Sequence, residues 1–542
     1  MWKAIFYLLF STNLCTAVTV KTKFGEVRGG ERKSRDGKTY YAFTSIPYAK
    51  PPIGKLRLKN PVRAEPWKEV LDATKELPQC IQVPMYQHFL RNVTFGEEDC
   101  LYLSVYTPEL NPKERLAVLV HLHGGGLKFG DAGPRDNADF LVDGNIILVT
   151  MHYRLGTLGF LSIENSIIPG NFGLKDQSMG LQWVKENIKA FGGDDERITA
   201  FGSSSGGICA HFHMFSPLSK SILRGAISQS GVVNRFWLVS APGTAKPLAE
   251  RVAEIVGCGG KQDEELLGCL QSICPIKLIR AELEFLYWDY EPAVVFRPVQ
   301  EPSAAGAFLP FDPLTQKTTL PWLTGIVNNE GLCKTVSLMA QGDSVVQEFI
   351  DNMDDYMMRL LSLDASCPKA KATVKLIKEK YFPKPVTLES VMNKMEEFYA
   401  DLTFVAPMGD AIRRHKGPLY QFLYDYRAGS SLSTSFGNFT DLGVFHGDDL
   451  LVLFNMKEKF PKTNLDEEQV SKKMVRLWTN FAKYQKPTTE EDEVEWPRYD
   501  SLGRYMHITS GLEVKRHLKA DVIDWWFKLP AFSSYEALKT EL

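Results

Sequence analysis

The amino-acid sequence predicts an α/β fold in which helices cover both faces of a large, mainly parallel sheet. Residues 116–122 form an almost unbroken apolar run, which is typical of a strand buried on both faces of such a sheet. Residues 146–151 form a second run of this kind, and residues 174–191 have helical spacing. Strands that alternate with helices in this way favour a parallel sheet, because neighbouring parallel strands need a long crossover connection.

The remaining segments extend this pattern. Residues 18–42 contain short β-rich runs separated by glycines, as in small hairpins. An apolar stripe at helical spacing over residues 470–482 indicates a helix packed on the core. We expect the final segment, residues 515–542, to be helical as well. Further short strands are predicted at 225–228, 322–327 and 419–424.

Length and composition limit the classes of protein that the chain can form. It has 542 residues, of which 44% are hydrophobic, so it can bury a large core. Length alone favours about three or four domains. Single domains of large α/β enzymes can be longer than this estimate assumes, however, and we expect a single domain over residues 18–542. The formal net charge is −2, with both signs interspersed. This balance gives no electrostatic case for binding nucleic acid or an anionic membrane.

The two ends of the chain bear on where the protein resides. Residues 1–17 combine one positive charge, a short apolar run and small residues, which is typical of a secretory signal peptide. A membrane anchor or a buried strand is the alternative, but neither this run nor any later one reaches the ~20 apolar residues of a spanning helix. We therefore predict a secreted protein without a transmembrane anchor. The C-terminal Lys539-Thr540-Glu541-Leu542 resembles a KDEL-type retrieval signal, so retention in the endoplasmic reticulum lumen is the alternative.

Eight of the nine cysteines remain once Cys15 is removed with the leader. In an oxidising compartment, nearby cysteines are plausible disulfide partners. Cys80 with Cys100, and Cys258 with Cys269, would each close a short surface loop. Metal binding is the competing interpretation, but no Cys-x-x-Cys or His-rich spacing supports zinc. The sequence thus predicts no metal site, and we expect no cofactor.

Two glycosylation sequons fit a lumenal or secreted glycoprotein. They begin at Asn92 and Asn438. Because sequons also arise by chance, they support a lumenal or secreted location only modestly.

Residues 201–207 carry the strongest chemical pattern. Ser204 lies between Gly202 and Gly206 in a Gly-x-Ser-x-Gly arrangement, the elbow at which a strand of an α/β-hydrolase turns sharply into a helix. The framing glycines have a physical reason, because so tight a turn leaves no room for side chains beside the nucleophile. A Ser/Gly-rich loop is the alternative interpretation. The pattern makes Ser204 the candidate nucleophile.

A second glycine-rich turn, residues 124–126, directly follows the buried strand at 116–122. Acyl transfer needs N–H donors at the oxygen of the tetrahedral intermediate. The N–H groups of Gly125, Gly126 and Ser205 are the candidate oxyanion hole, since Ser205 follows the nucleophile. Ser205 contributes only its backbone in this interpretation. A flexible loop is the alternative for the turn.

Four blocks of sequence resemble one known family. They are Glu98-Asp99-Cys100-Leu101-Tyr102-Leu103-Ser104-Val105-Tyr106, Tyr153-Arg154-Leu155-Gly156, residues 170–177 and residues 191–194 before the elbow. In this order they resemble the type-B carboxylesterases, the carboxylesterase/cholinesterase family of the α/β-hydrolase superfamily. The resemblance covers nearly the whole mature chain.

The resemblance implies the remaining two members of a catalytic triad. A serine hydroxyl needs a base, and the histidine base needs a carboxylate to hold its tautomer. Asn328-Asn329-Glu330-Gly331 resembles the acid block and gives Glu330. Residues 443–450 resemble the histidine block and give His446. The order serine, acid, histidine is the one that the fold predicts.

Other histidines compete less well for the role of base. His211 and His213 fall in the predicted helix after the elbow, where a structural role is the better interpretation. We expect His123 to orient the glycine turn. His415 and His507 lie in ordinary polar contexts.

The family resemblance also implies structural pairs. The family's first two disulfides match Cys80–Cys100 and Cys258–Cys269. Its buried ion pairs match Arg57 with Glu98, and Arg154 with Asp176.

The sequence departs from the family at several positions. Ser203 stands where the family usually has glutamate, and Ser205 where it usually has alanine. No tryptophan occurs between Cys80 and Cys100, where cholinesterases have one that stacks on choline. No cysteine follows Cys367. These departures argue against a cholinesterase and favour an insect-type relative.

We therefore expect a serine carboxylic ester hydrolase that acts on apolar small-molecule esters through an acyl-enzyme. A catalytically silent, cholinesterase-like adhesion or scaffold protein is one alternative, because fold alone does not prove function. A lipase-like hydrolase of lipid esters is another. The physiological ester and the oligomeric state do not follow from the sequence.

Overall fold

The structure is a computed structural model that describes residues 17–84, 86–132, 137–234, 237–437, 439, 442–461 and 465–533. Residues 1–16 of the expected leader, the sequon residue Asn438 and the C-terminal residues 539–542 lie outside these ranges.

One large sheet dominates the described part of the chain. Its strand order is β1-β2-β3-β5-β7-β6-β8-β9-β10-β11-β12-β13, and β4 pairs with β2. The strands are β1 Ala17–Lys21, β2 Glu26–Lys33, β3 Thr39–Pro47, β4 Leu71–Asp72, β5 Tyr102–Thr107, β6 Leu116–Leu122, β7 Ile147–Met151, β8 Gly193–Ser203, β9 Gly225–Gln229, β10 Trp322–Val327, β11 Leu419–Tyr424, β12 Arg504–Ile508 and β13 Leu512–Arg516.

The centre of the sheet is parallel and its ends are antiparallel. From β7 through β6, β8, β9, β10 and β11 to β12, every neighbouring pair of strands runs parallel. The pairs from β1 to β7 along the other path, and the pair β12 with β13, are antiparallel. The predicted hairpins at the start of the chain and the mainly parallel sheet are both confirmed.

The described helices surround this sheet. They are α1 Gly156–Phe160, α2 Phe172–Asn187, α3 Ser205–His213, α4 Ala245–Val256, α5 Asp263–Ser272, α6 Pro275–Arg280, α7 Leu332–Gln341, α8 Asp343–Asp351, α9 Met353–Leu360, α10 Pro368–Tyr381, α11 Leu388–Ala400, α12 Ala406–Arg414, α13 Glu467–Tyr484 and α14 Ala520–Phe527. Helices α2, α3 and α13 contact the strands of the sheet directly. A π-helical turn, Asp401–Val405, joins α11 to α12.

The hydrophobic core has two layers because alternate side chains of a strand point to opposite faces. In β6, Val118 and Val120 belong to one apolar cluster, which includes residues of α2. Ala117 and Leu119 belong to the other cluster, which includes the apolar stripe of α13. This arrangement explains why the β6 sequence is apolar throughout, and it confirms the predicted helical layers on both faces.

The prediction of a continuous helix over residues 515–542 is wrong. Lys515 and Arg516 end strand β13, and the helix that follows is the short α14. Leu512 and Val514 alternate with charged residues, which is the two-residue period of a strand. Strand β13 pairs with β12 and forms the edge of the sheet, so this pairing outweighs the helical composition of the segment.

Two disulfides and one ion pair join distant loops. Cys80 is bonded to Cys100, and Cys258 to Cys269. Arg57 binds both carboxylate oxygens of Glu98, at 2.6 Å each, and also donates to the carbonyl oxygens of residues 270, 271 and 273. The Arg57 side chain therefore links the first disulfide loop to the end of α5, which carries the second. Among the described residues, the cysteines without a disulfide are Cys209, Cys274, Cys333 and Cys367.

A second buried ion pair fixes the start of α2. The Arg154 guanidinium donates to both carboxylate oxygens of Asp176, at 2.8 and 2.6 Å, and to the Lys59 carbonyl at 2.8 Å. Asp176 is fully buried. Charges buried in this way are stable only when they are paired and hydrogen-bonded, so the pair specifies how α2 packs beside the segment that follows β7.

Candidate active site

A tight elbow between β8 and α3 holds Ser204 in a strained backbone conformation. Its φ is 58° and its ψ is −130°, a combination that residues with a side chain rarely adopt. A Cβ atom on Gly206 would lie 2.0 Å from the Leu122 carbonyl oxygen, and one on Gly202 would lie 2.3 Å from that same oxygen. The expectation that both framing glycines are required by space is confirmed.

Two more glycines press against the elbow, and sequence reasoning missed this role for both. A Cβ atom on Gly231 would lie 2.0 Å from the Ser204 carbonyl oxygen. One on Gly124 would lie 2.7 Å from the Ser203 carbonyl oxygen. Gly231 follows the end of β9, so a glycine just past a buried strand was the signal that could have identified it.

The glycine turn after β6 lies directly beside this elbow. Gly125 and Gly126 have φ values of 114° and 63°, which favour glycine. Their N–H groups donate no backbone hydrogen bond within the described chain. The N–H of Ser205, at the first position of α3, belongs to the group that a helix leaves without an intrahelical partner. The three predicted donors are therefore available to a ligand.

His123 holds one side of the turn, as expected. Its Nδ1 lies 2.9 Å from the Gly124 carbonyl oxygen, and its ring stacks on Tyr153 with centroids 4.3 Å apart. Burial lowers the pKa of His123 to about 4. The neutral ring thus donates from Nδ1 to the turn and carries no charge at neutral pH.

Glu330 and His446 form a hydrogen-bonded pair. His446 Nδ1 lies 2.6 Å from Glu330 Oε2, and the other carboxylate oxygen of Glu330 accepts the Val327 N–H at 2.9 Å. The Glu330 side chain is 1% exposed and that of His446 is 16% exposed. Because Nδ1 points to the carboxylate, Nε2 is the nitrogen left for a reactant.

Backbone contacts bring the acid and histidine segments together. Asn329 N–H donates to the Val444 carbonyl at 3.2 Å, and the Asn329 side chain accepts the Val444 N–H at 3.1 Å. The Phe404 ring, on the π-helical turn, packs on the His446 imidazole with centroids 4.7 Å apart. Within the described residues, no hydrogen bond joins the Ser204 hydroxyl to His446, and such contacts often tighten only when substrate binds.

A buried polar chain connects the elbow to the histidine segment. The Ser204 N–H donates to the Gln229 carbonyl at 2.8 Å. The Gln229 amide donates to Asp449 Oδ2 at 2.5 Å and accepts the Trp478 indole N–H at 2.9 Å. Asp449 was not identified from the sequence, although it lies only three residues after His446.

Burial above all, together with the nearby Glu330 carboxylate, raises the pKa of Asp449 to about 7. The hydrogen bond from Gln229 and the proximity of His446 act in the opposite direction. Asp449 Oδ1 is buried without a hydrogen-bond partner. A second carboxyl group therefore lies beside the Glu330–His446 pair and titrates near neutral pH.

The remaining predicted residues are distributed as follows. Asn92 is exposed, and Asn438 lies outside the described residues. The His211 and His213 side chains are buried, and burial lowers the pKa of each far below its usual value. No helix in the described ranges is long and apolar enough to cross a membrane. No group of His, Cys, Asp or Glu side chains in that part of the chain could hold a metal ion.

A parallel sheet with a serine on a strand-to-helix elbow, and an acid and a histidine after later strands, defines an α/β-hydrolase. The chain belongs to the carboxylesterase family, whose model matches residues 16–526. The family recognised from the sequence and the enzyme class, carboxylesterase, are thereby confirmed.

Named insect enzymes are similar to the chain over most of its length. Venom carboxylesterase-6 of Apis mellifera is 33% identical, covering 94% of this chain and 94% of the relative. The juvenile hormone esterase of Tribolium castaneum is 34% identical over 87% of this chain and 84% of the relative. Esterase-5B of Drosophila persimilis is 32% identical over 84% of this chain and 87% of the relative.

Replacing Asp449 by asparagine should change how stability depends on pH. A carboxyl group whose folded pKa is raised binds more protons in the folded state, so its contribution to stability falls as pH rises from its unfolded to its folded pKa. As pH rises from roughly 5 to 7, the free energy of unfolding of the wild type should fall relative to that of Asp449→Asn. The fall should be up to about 1.4 kcal/mol per pH unit. Denaturant unfolding of both proteins across this range measures the difference.

Asp364→Asn is the matched control. Asp364 is exposed, and the Ser366 N–H lowers its pKa, so both states stay ionised above roughly pH 5. Its stability difference from the wild type should stay flat over that range. A flat difference for Asp449→Asn as well would contradict the raised pKa.

Proposed function

We propose that this carboxylesterase hydrolyses apolar small-molecule esters through an acyl-enzyme, with Ser204 as nucleophile, His446 as base and Glu330 as the acid that holds the base. The observation that carries the proposal is the 2.6 Å hydrogen bond between Glu330 and His446 Nδ1. It fixes the tautomer in which Nε2 is the basic nitrogen.

In acylation, the Ser204 oxygen attacks the ester carbonyl carbon while His446 Nε2 takes the hydroxyl proton. The charge on the imidazolium is balanced by Glu330, which is buried and anchored by the Val327 N–H. The tetrahedral intermediate then collapses, the bond to the alcohol oxygen breaks, and His446 gives its proton to the leaving alcohol.

The developing oxyanion needs donors that are in place before the reaction. The N–H groups of Gly125, Gly126 and Ser205 fit this need, since within the described residues they donate no hydrogen bond to a backbone acceptor. In deacylation, His446 removes a proton from water, the hydroxide attacks the acyl carbon, and Ser204 recovers its proton as the acid leaves.

The side chains that border the site support apolar substrates. The Phe404 ring contacts His446, and the Tyr86 hydroxyl fills the space in which a Cβ of Gly126 would lie. The Tyr86 ring packs on Phe129 and Tyr290, with centroids 5.1 and 4.7 Å apart. Aromatic walls of this kind favour ester groups that lose water at low cost.

We propose further that residues 18–542 act as one secreted domain after removal of the leader, with Asn92 as a glycan site. The single sheet, the two disulfides and the exposure of Asn92 support this.

Replacing Ser204 by alanine should lower kcat for a short-chain aryl ester by about four to six orders of magnitude, because no other group can form the acyl bond. Glu330→Gln keeps the shape of the acid but favours the wrong imidazole tautomer, and should cost about 10⁴-fold. An organophosphate should label the wild type on the peptide that contains Ser204 and leave Ser204→Ala unlabelled. Turnover that survives in Ser204→Ala, or a wild type that never becomes labelled, would contradict the assignment of Ser204 as the nucleophile.

A series of aryl esters tests the substrate class. Each added CH₂ in the acyl chain should raise kcat/KM about fourfold until the pocket is filled, since burying a CH₂ contributes about 0.8 kcal/mol. An ester of matched length that ends in a carboxylate should react at least about tenfold more slowly, because the charge must be desolvated. Equal rates for the neutral and the anionic ester would contradict the proposal.

Secretion can be checked by expressing the intact chain and a chain lacking residues 539–542 in eukaryotic cells. We expect ester-hydrolase activity in the medium for both. If the intact chain stays in the cells and only the truncated one is released, the tetrapeptide acts as a retrieval signal and secretion is wrong.

A further inference from the structure

The glycine turn is held at both of its flanks by side chains from outside it. Before the turn, the Tyr153 hydroxyl donates to the His123 carbonyl oxygen at 2.7 Å. After the turn, the Leu127 N–H donates to Ser205 Oγ at 3.3 Å. Tyr153 and Ser205 thus hold the residues on either side of the turn, His123 and Leu127.

The backbone at the turn needs such support. Three consecutive glycines have no side chains to restrict them, and they sample many conformations when nothing else holds them. Leu127 has a φ of 59°, an unfavourable value for a residue with a γ-branched side chain, which persists only when its surroundings impose it. Its carbonyl accepts the Gly156 N–H at 2.7 Å, and its N–H is held by Ser205. Within the described residues, the Ser205 hydroxyl is therefore one of two hydrogen-bond partners that hold the Leu127 backbone.

We propose that the hydroxyl of Ser205 is a positioning group that, with Tyr153, clamps the glycine turn so that the Gly125 and Gly126 N–H groups stay aimed at the oxyanion. This inference rests on the proposed function, and it adds a second role to Ser205 beyond its own N–H.

The clamp has a direct energetic consequence for the reaction. A donor that shifts by about an ångström no longer stabilises the oxyanion, and such misplacement can cost about a hundredfold in rate. The substrate in its ground state makes no comparable demand on these N–H groups. Loosening the turn should therefore lower kcat far more than it changes KM.

Ser205→Ala removes the hydroxyl and keeps the backbone N–H. We expect kcat for an aryl ester to fall about ten- to a hundredfold, with KM changed by less than about threefold. The affinity for a trifluoromethyl ketone, which forms a tetrahedral oxyanion on the nucleophile, should fall by the same factor as kcat/KM. Binding of the product alcohol, a competitive inhibitor that forms no oxyanion, should stay as in the wild type.

Ser203→Ala is the matched control. Ser203 flanks the nucleophile on its other side, is equally buried at 2% exposure, and its hydroxyl has no hydrogen-bond partner. Its removal should leave kcat within about twofold of the wild type, because it breaks no bond. Tyr153→Phe should reproduce part of the loss, and the double variant Ser205→Ala/Tyr153→Phe should lose less than the product of the two single losses, because both act through one turn.

The outcomes separate the clamp from the proposed function. If Ser204→Ala is inactive while Ser205→Ala keeps the wild-type kcat and ketone affinity, the clamp is wrong and the nucleophile assignment stands. If Ser204→Ala keeps its activity, the proposed function fails first. If Ser205→Ala and Ser203→Ala lower kcat, alcohol binding and melting temperature alike, the hydroxyl is merely structural and the proposal is overturned.

Discussion

The close approach of β6 to the β8–α3 elbow is the constraint on which the site depends. The Leu122 carbonyl oxygen, at the end of β6, lies where Cβ atoms of Gly202 and Gly206 would have to be. Because parallel neighbours end at the same edge of the sheet, this contact sets the turn that follows Leu122 beside the residue that follows β8. Donor turn and candidate nucleophile are neighbours for the same steric reason that excludes side chains between them.

The elbow is connected to the histidine segment through side chains that carry no chemistry of their own. Gln229 lies opposite Ser203 in the pairing of β8 with β9, and its amide joins Asp449 to Trp478 of α13. Networks of this kind specify a single arrangement when they are satisfied and are costly when they are not. Here Asp449 Oδ1 and Ser203 Oγ stay without partners. The energetic cost of these unpaired polar atoms arises next to the candidate nucleophile. Backbone strain and unpaired polar groups are common at functional sites.

The fold was predictable wherever one pattern dominated the sequence. The apolar run of β6 predicts a buried strand, and the apolar stripe of α13 predicts a core helix. A strand buried on both faces and a helix buried on one face differ in the spacing of their apolar residues along the sequence. Strand β13 was missed because its pairing with β12 is a tertiary contact across a short turn. Within the site, Ser204 and the glycine turn followed from local motifs. Glu330 and His446 needed the family resemblance, since nothing near them in sequence distinguishes them from other acids and histidines. Asp449, Gln229 and Gly231 act only through contacts that form on folding.

Three adjacent serines show how far surroundings decide what a side chain can do. Ser203 ends β8 with its hydroxyl buried and unpartnered, so it can neither react nor hold a neighbour. Ser204 takes the strained backbone position between strand and helix, with a φ of 58°. Ser205 begins α3, where its N–H is available and its hydroxyl meets the Leu127 N–H. Three serines with the same side chain therefore have three different roles. The backbone turn, which is set by the glycines on either side, determines the role of each.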